Sequence, residues 1–180
     1  MIIFYIGVDK CGSTAIFNIL SEQKWISDLG GKDTNLLIDN KNIQSNITKL
    51  KNCGNDSIFI EYSHDYWLFP RVAKIIKDEF KDAFVICSVR DPILRSVSAL
   101  KHYKKIGSKG SDDEIIKNFP DIINNSFYKK LKNFLIKSGK FDDKNFYIIN
   151  IDSQISLLKQ LNLCMSKFGV NQEIKNVSYK

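Results

Sequence analysis

The sequence predicts an α/β fold, in which a single-domain parallel sheet is flanked by helices. Two observations carry this prediction. Short apolar runs alternate with longer segments whose apolar residues recur at helical spacing, as expected for strands that alternate with helices. The first apolar run also leads through a glycine-bounded turn directly into an amphipathic segment. The chain has 180 residues, 43% of them hydrophobic, which suffices for one domain over 1–180 with its own core.

The predicted strands and helices follow one another along the chain. Strand signals occur at 2–7, 57–62, 83–89 and 145–151, and helical periodicity occurs at 13–23, 41–52, 67–79, 92–105 and 152–168. The Gly and Ser residues of 107–113 predict a mobile loop. Open parallel sheets bind ligands beyond the carboxyl ends of their strands, so we expect the functional residues at that edge.

The turn after the first predicted strand has the features of a phosphate-binding loop. Its sequence is Gly7-Val8-Asp9-Lys10-Cys11-Gly12-Ser13-Thr14. The glycines allow the backbone to fold back, and the N–H groups that open the next helix form an anion site to which Ser13 and Thr14 add hydroxyl donors. The glycine spacing matches the start of the Walker pattern, but Ser13 stands where an ATPase or kinase has lysine.

The lysine of this turn, Lys10, lies in mid-loop instead. The segment Asp9-Lys10-Cys11-Gly12-Ser13-Thr14 resembles the 5′-phosphosulfate loop of sulfotransferases that use 3′-phosphoadenylyl sulfate (PAPS), whose pattern is Pro-Lys-x-Gly-Thr-Thr or Lys-x-Gly-Thr. The resemblance implies that the loop residues bind the cofactor, namely Lys10, Cys11, Gly12, Ser13 and Thr14. It also implies that Lys10 stabilises the departing oxygen. Asp9 departs from the family's proline and places a negative charge beside an anionic ligand.

A second motif follows the predicted strand at 83–89. The run Arg90-Asp91-Pro92-Ile93-Leu94-Arg95-Ser96-Val97-Ser98 matches every fixed position of the family's 3′-phosphate motif, Arg-(Asn/Asp)-Pro-x-x-Arg-x-x-Ser. Pro92 suits the first turn of a helix, and a guanidinium at a strand end can form a forked contact with a phosphate. The resemblance implies that Arg90 and Ser98 bind the 3′-phosphate. It predicts a P-loop NTPase-like sulfotransferase fold.

The candidate bases lie in a third segment, which is predicted to be a strand ending in a polar turn. It resembles the Glu-Lys-Ser-x-x-Tyr segment of heparan sulfate N-sulfotransferases, with Tyr62 in place of the lysine. The glutamate is the catalytic base in that branch, so the resemblance favours Glu61. His64 resembles the histidine of the cytosolic members and is the alternative catalytic residue. A salt bridge from Glu61 to Arg71 or Arg95 would instead make the glutamate structural.

The C-terminal third carries weaker likenesses. The run Ser126-Phe127-Tyr128-Lys129-Lys130-Leu131 resembles the family's Gly-x-Tyr-x-x-x-Leu helix start, which implies that Tyr128 approaches the adenosine of the cofactor. The family normally continues past its last helix into a basic, glycine-containing loop that closes over the cofactor. We expect this loop to be absent or shortened here. Lys175, Lys180 and the pair Lys109-Gly110 are candidate substitutes.

The charge balance favours an anionic ligand. The chain has 27 Lys and Arg against 20 Asp and Glu, a formal net charge of +7, and its lysines concentrate in 101–109 and 129–140. This excess permits acidic glycans or nucleic acid as partners. Leu131, Phe134 and Leu135 recur at helical spacing within the second cluster, so we expect its lysines to form the solvated face of a helix. Nucleic acid is therefore not the favoured partner.

The cysteines predict neither a metal site nor disulfides. The four of them form no Cys-x-x-Cys pair, and with only His64 and His102 the sequence offers no zinc set. We expect Cys87 to be a buried thiol, and Cys11 to be reactive if the dipoles of the loop lower its pKa. The first apolar run is too short and wrongly flanked for a signal peptide or a membrane span, which predicts a cytoplasmic protein.

The resemblance implies a short sulfotransferase of the carbohydrate branch, of bacterial or phage type. It would take PAPS as donor, release adenosine 3′,5′-bisphosphate (PAP), sulfate a hydroxyl or amine of a saccharide, and need no metal. Two alternatives stay open. A nucleotide or small-molecule kinase would share the loop but needs a lysine after Gly12 and an aspartate at a strand end. A non-catalytic module for an anionic ligand or nucleic acid would explain the charge but not the spacing from Arg90 to Ser98.

Overall fold

The computed structural model describes residues 1–53 and 57–175. Within these residues, the centre of the molecule is a five-stranded sheet in the order β2-β3-β1-β4-β5, and every neighbouring pair of strands is parallel. The strands are β1 (Ile2–Tyr5), β2 (Ile26–Lys32), β3 (Ile58–Tyr62), β4 (Phe84–Val89) and β5 (Phe146–Asn150). The α/β fold with a parallel sheet is confirmed.

Helices connect and flank the strands. They are α1 (Ser13–Ser21), α2 (Ile43–Lys51), α3 (Pro70–Glu79), α4 (Pro92–Lys105), α5 (Asp112–Asn118), α6 (Asp121–Asn124), α7 (Lys129–Lys132) and α8 (Leu157–Lys167). A π-helical segment, Asn133–Ser138, continues α7. In the part of the chain that the structure describes, no helix is both long enough and apolar enough to cross a membrane.

Two hydrophobic layers hold the helices against the sheet. On one face, α1 and α8 contribute side chains such as Ile16 and Leu161. On the other face, α2, α3 and α7 pack through residues such as Ile76. Successive side chains of a strand point to opposite faces, so Ile3 of β1 joins the first layer and Phe4 joins the second. Burial on both faces is why the central strands are near-continuous apolar runs in the sequence.

Helix α4 has the bounds predicted from the sequence. Asp91 caps it, because its side chain accepts hydrogen bonds from the N–H groups of Ile93 at 2.9 Å and Leu94 at 3.0 Å. Pro92 then fills the first helical position, where its missing N–H leaves no hydrogen bond unmade. The Asp-Pro pair of the second motif therefore serves to start the helix that carries Ser98.

The predictions for the lysine cluster 129–140 and for the loop 107–113 have different outcomes. Leu131, Phe134 and Leu135 are buried, as the helical spacing predicted. The loop predicted over 107–113 is wrong at its carboxyl end, because Ser111 and Glu114 form a reciprocal capping box that starts α5. The Ser-x-x-Glu spacing in the sequence is the signal for this helix.

Strand β2 was not predicted. Asp28, Gly30 and Gly31 lower the strand propensity of this segment. The strand forms at the edge of the sheet beside β3, and its register shifts between Asp28 and Lys32. The Asp28 carboxylate accepts hydrogen bonds from Gly30 N–H at 3.0 Å and Gly31 N–H at 2.8 Å, so polar contacts stabilise this irregularity. The strand matters because its last residue reaches the candidate site.

Candidate active site

A cavity of about 500 Å³ lies at the carboxyl ends of β1, β2, β3 and β4, and we refer to it as the phosphate-loop cavity. Its size is within the range of small-molecule sites. Most of the site residues predicted from the sequence line it, namely Lys10, Gly12, Ser13, Thr14, His64, Arg90 and Ser98. Four residues that the sequence analysis did not assign to the site complete the lining, namely Asp9, Lys32, Asp33 and His102. Cys11, Glu61 and Tyr128 lie behind its wall.

Two glycines shape the loop between β1 and α1. Gly7 has a φ of 124°, and a Cβ there would lie 2.3 Å from the carbonyl oxygen of His64. Gly12 has a φ of 74°, and a Cβ there would lie 2.7 Å from Cδ1 of Ile151. Both positions therefore require glycine. The first N–H groups of α1 have no acceptor within the helix, and they open beside the cavity at Ser13 and Thr14.

Lys10 lies in the middle of this loop with a positive φ of 62°. Burial lowers the pKa of its ammonium group, the neighbouring charge of Asp9 raises it, and the charges of Lys32 and Arg95 lower it again. A partly desolvated cation attracts an anion more strongly than a fully hydrated one, because less water screens the two charges. The loop thus holds a concentrated positive charge against the cavity.

Asp9 is neutralised by an arginine of the second motif. Arg95 is 1% exposed, and its Nη2 donates to the two carboxylate oxygens of Asp9 at 2.8 and 2.7 Å. Its Nη1 donates to the Ile122 carbonyl oxygen at 3.0 Å and to the Ser126 hydroxyl at 3.2 Å. This ion pair joins the phosphate loop to α4. Asp9 therefore places no unpaired negative charge beside the phosphate-loop cavity.

Arg90, at the end of β4, is held from two sides. Asp152 accepts hydrogen bonds from Arg90 Nε at 3.3 Å and from the Asp91 N–H at 2.6 Å. The Tyr128 hydroxyl accepts from the Arg90 N–H at 3.0 Å and donates to the Arg90 carbonyl oxygen at 2.6 Å. The guanidinium is half-buried and lines the cavity with Ser98, two turns along α4. Both residues of the second motif thus face the ligand space.

Tyr128 and Cys11 support the loop residues from behind. Tyr128, whose approach to the adenosine stays a prediction, binds the main chain of Arg90 through its hydroxyl and lines a neighbouring cavity of about 520 Å³. The Cys11 sulfur lies 3.5 Å from that hydroxyl. Burial raises the pKa of the Cys11 thiol to about 11, so the expectation of a lowered pKa is wrong. The four cysteines are free thiols, and Cys87 is buried as predicted.

His64 lies on the cavity wall with a carboxylate behind it. Its Nδ1 is hydrogen-bonded to Asp33 Oδ1, and since a carboxylate accepts only, Nδ1 carries the proton. Nε2 lies 3.4 Å from Asp65 Oδ1, so the ring lies between two carboxylates. Asp33 has a φ of 63°, the left-handed turn with which the chain leaves β2. The hydrogen bond to Asp33 fixes the orientation of the ring on the cavity wall.

Glu61 is completely buried beneath the connection from β2 to α2. Its Oε1 accepts hydrogen bonds from the hydroxyls of Thr34, of Ser63 at 2.8 Å and of Tyr66 at 2.8 Å. The Ser63 hydroxyl also accepts from the Asn35 N–H at 2.8 Å. Neither Arg71 nor Arg95 bonds to this carboxylate, so the salt bridge considered from the sequence is not formed. The network instead fixes the chain that carries Asp33.

The free energy of unfolding of Glu61→Gln, relative to that of the wild type, is expected to increase as the pH rises from 5 to 8. Burial raises the pKa of Glu61 to about 7, against the opposing hydrogen bonds from its hydroxyl neighbours. The folded state therefore retains a proton that the unfolded state releases, and this contribution, complete below the unfolded pKa, is lost as the pH rises through 7. The gap between the two pKa values corresponds to about 3 kcal/mol. Denaturant unfolding of both proteins at each pH measures it, and a constant difference would contradict an ionisable buried carboxyl.

Two of the four lining residues that were not predicted from the sequence, Lys32 and Asp33, come from the end of β2. Lys32 Nζ donates to the Thr14 hydroxyl at 3.0 Å, and Asp33 bonds to His64 as described. A lysine and an aspartate directly after a Gly-Gly pair are the local signal for a turn at a strand end. His102 has no predicted role in the site, although it lies on the cavity face of α4.

Two of the three proposed substitutes for a closing loop, Lys175 and Lys109-Gly110, do not line the cavity. The Lys175 N–H donates to Gln23 Oε1 at 3.2 Å, beyond the end of α1 that lies away from Gly12. A helix of nine residues spans about 13 Å, so Lys175 is remote from the loop. Lys109-Gly110 lies in the exposed turn before α5. Lys180 lies outside the described residues. Within residues 1–53 and 57–175, no group of three or more His, Cys, Asp or Glu could hold a metal ion.

Several solved structures resemble this chain. A sulfotransferase from Alicyclobacillus acidocaldarius superposes with a TM-score of 0.73 at 16% identity, over 99% of this chain and 85% of that one. The sulfotransferase domain from the curacin biosynthetic pathway gives 0.67 at 14%, over 95% and 74%. A mouse sulfotransferase complexed with PAP gives 0.61 at 16%, over 96% of this chain and 60% of that one. Neither a protein-family model nor a curated protein matches the sequence.

The fold and the cavity together define a class of protein. A parallel sheet with a glycine-bounded loop between its first strand and helix is the architecture of the phosphate-loop α/β proteins. Within that class, the chain has the fold of the sulfotransferases. At 14–16% identity the likeness establishes the fold, and the reaction has to be argued from the site.

Proposed function

We propose that this protein transfers the sulfuryl group of PAPS to a hydroxyl or amine, with a saccharide as the favoured acceptor. The observation that carries the proposal is the meeting of two separate motifs in one cavity. Lys10, Gly12, Ser13 and Thr14 of the loop and the pair Arg90 and Ser98 are separated by more than seventy residues in the sequence, yet both groups line the phosphate-loop cavity. Two cationic or N–H-rich subsites in one cavity suit a ligand with anionic groups at both ends, and PAPS is such a ligand.

Each subsite has a defined task in this proposal. Ser13, Thr14 and the first N–H groups of α1 hold the 5′-phosphate, and Arg90 and Ser98 hold the 3′-phosphate. PAPS supplies an activated sulfuryl group when it is bound. The ammonium group of Lys10 stabilises the negative charge that develops on the oxygen departing with the nucleotide. Transfer then depends chiefly on positioning and on charge stabilisation, as in phosphoryl transfer.

His64 is the favoured base for the acceptor's proton. Its ring lines the cavity, and Asp33 orients it through Nδ1. In this proposal Nε2, 3.4 Å from Asp65 Oδ1, is the nitrogen that takes the proton. Glu61, which the sequence resemblance favoured, is the alternative base, but its carboxylate is completely buried and bonded to three hydroxyls. In this proposal Glu61 fixes the connection that carries Asp33.

A polar acceptor is favoured by the chemistry of the cavity wall. Apart from Gly12, every residue that lines the cavity has a charged or polar side chain. Such groups pair with the hydroxyls of a sugar, and an apolar acceptor would leave them without partners. The acceptor itself is the part of the proposal that a panel of compounds has to define.

Transfer of labelled sulfuryl from PAPS to a panel of saccharides, amines and phenols tests the proposal. We expect transfer by the wild type and a loss on the order of a hundredfold in His64→Ala, because a positioned base is removed. Glu61→Gln should keep most of its turnover at pH 7, and both variants should still bind PAP. An inactive Glu61→Gln beside an active His64→Ala would assign the base to Glu61. A wild type that neither binds PAP nor transfers sulfuryl would contradict the proposal.

A further inference from the structure

The last residue of β2 brings a second lysine to the phosphate loop. Lys32 is in register with Tyr62 of the neighbouring strand β3, and its side chain lines the phosphate-loop cavity. Its Nζ donates to the Thr14 hydroxyl at 3.0 Å and lies 3.7 Å from Asp33 Oδ2. An ammonium group is therefore fixed beside the first turn of α1, where the helix opens its unpaired N–H groups.

Two ammonium groups then face the same space. Lys10 and Lys32 both line the phosphate-loop cavity. Burial is the main cause of the lowered pKa of Lys10, and the charge of Lys32 contributes to it. Like charges so placed repel, and an oxyanion between them relieves the repulsion. Asp9 does not supply that anion, because its carboxylate is bound to Arg95.

The residues next to Lys32 do not supply a positive charge to this part of the cavity wall. Tyr62, beside Lys32 in the sheet, is buried, and its hydroxyl donates to the Ser13 carbonyl oxygen. The Asp33 carboxylate contacts both groups, with Oδ2 3.7 Å from Lys32 Nζ and Oδ1 bonded to His64 Nδ1. The positive charge on the cavity wall between His64 and Thr14 thus comes from Lys32, at the end of β2.

We propose that Lys32 is a further catalytic residue, which contacts the 5′-phosphosulfate of the donor beside Thr14 and shares the charge of the transferring group with Lys10. The identity of the donor rests on the proposed function, whereas the contact with an oxyanion does not. Lys10 then stabilises the departing oxygen from within the loop, and Lys32 holds the group from the neighbouring strand. Either lysine alone would leave one side of the anion unpaired.

The test compares the wild type with Lys32→Met, Lys32→Arg and a matched surface variant, Lys74→Ala, on the exposed side of α3. Inorganic pyrophosphate and PAP serve as separate probes in thermal unfolding, and labelled sulfuryl transfer is measured in parallel. We expect pyrophosphate to raise the Tm of the wild type and of Lys74→Ala, and Lys32→Met to lose about half of that rise or more. Turnover of Lys32→Met should fall about a hundredfold, and Lys32→Arg should recover part of both losses.

The outcomes separate this proposal from the function on which it builds. A wild type without any response to pyrophosphate, or a Lys32→Met that responds like the wild type and turns over within about threefold of it, would overturn the role of Lys32. A wild type that responds to pyrophosphate through Lys32, but neither binds PAP nor transfers sulfuryl, would overturn the proposed function and keep the oxyanion contact. Lys32→Arg gives the comparison if Lys32→Met does not fold.

Discussion

Lys10→Ala is expected to reduce sulfuryl transfer by about a hundredfold to a thousandfold, the loss that follows removal of one preorganised charge-stabilising donor. The ammonium group of Lys10 is already partly desolvated and held by the loop, so it needs no reorganisation as charge develops. Binding of PAP should weaken far less, because Ser13, Thr14 and Arg90 remain. The measurement is kcat for labelled transfer beside the Kd of PAP.

Two further variants make this result interpretable. Lys10→Met keeps the length of the side chain and removes its charge, and it should match Lys10→Ala. Alanine, methionine and lysine all carry a Cβ, so the positive φ of 62° at this position penalises them alike. Lys74→Ala removes an exposed charge elsewhere and should leave turnover unchanged. Near-normal turnover in Lys10→Met would contradict the proposal that Lys10 stabilises the departing oxygen.

Asp9→Ala is expected to destabilise the fold by about 3–5 kcal/mol, because it leaves the buried guanidinium of Arg95 without its counter-charge. Arg95 is 1% exposed and donates to both Asp9 oxygens, whereas its remaining acceptors are neutral. For a chain of this size the Tm should fall by roughly 6–20 °C, at about 2–4 °C per kcal/mol. Thermal and denaturant unfolding measure the change.

An exposed ion pair provides the matched control. Lys51 and Glu79 are 2.6 Å apart, but their side chains are 46% and 39% exposed. Glu79→Ala should therefore cost at most about 1 kcal/mol. The double variant Asp9→Ala with Arg95→Met should be more stable than Asp9→Ala, because no unpaired charge stays buried. An Asp9→Ala protein as stable as Glu79→Ala would contradict the structural role of this pair.

The parts of the site that the sequence predicted are those that local spacing determines. Glycines bounding a strand-to-helix turn fix where the N–H groups open, and Lys10 and Ser13, singled out from the sequence, line the cavity. The Asp-Pro pair fixes where α4 begins, with Arg90 just before it and Ser98 about two turns along the helix. Each of these depends on fewer than about ten consecutive residues, which a sequence pattern can describe.

The parts that the sequence did not predict depend on contacts between distant segments. Strand β2 exists because it pairs with β3, although its Gly30-Gly31 pair argues against a strand. Without that strand, neither Lys32 nor Asp33 could be placed on the cavity. Whether a strand-end glutamate faces solvent or core is likewise decided by what covers it, and for Glu61 the covering segment follows the unpredicted strand.

PAP is expected to stabilise this protein more than ATP does, because in the proposed function Arg90 and Ser98, which line the cavity, hold a 3′-phosphate that ATP lacks. At about a hundred times its Kd, PAP adds about 2.7 kcal/mol, which at about 2–4 °C per kcal/mol raises the Tm by roughly 5–11 °C. Arg90→Ala should lose most of this rise and keep its weaker response to ATP. Equal stabilisation by ATP with magnesium, with nothing specific to the 3′-phosphate, would contradict the account and favour a kinase.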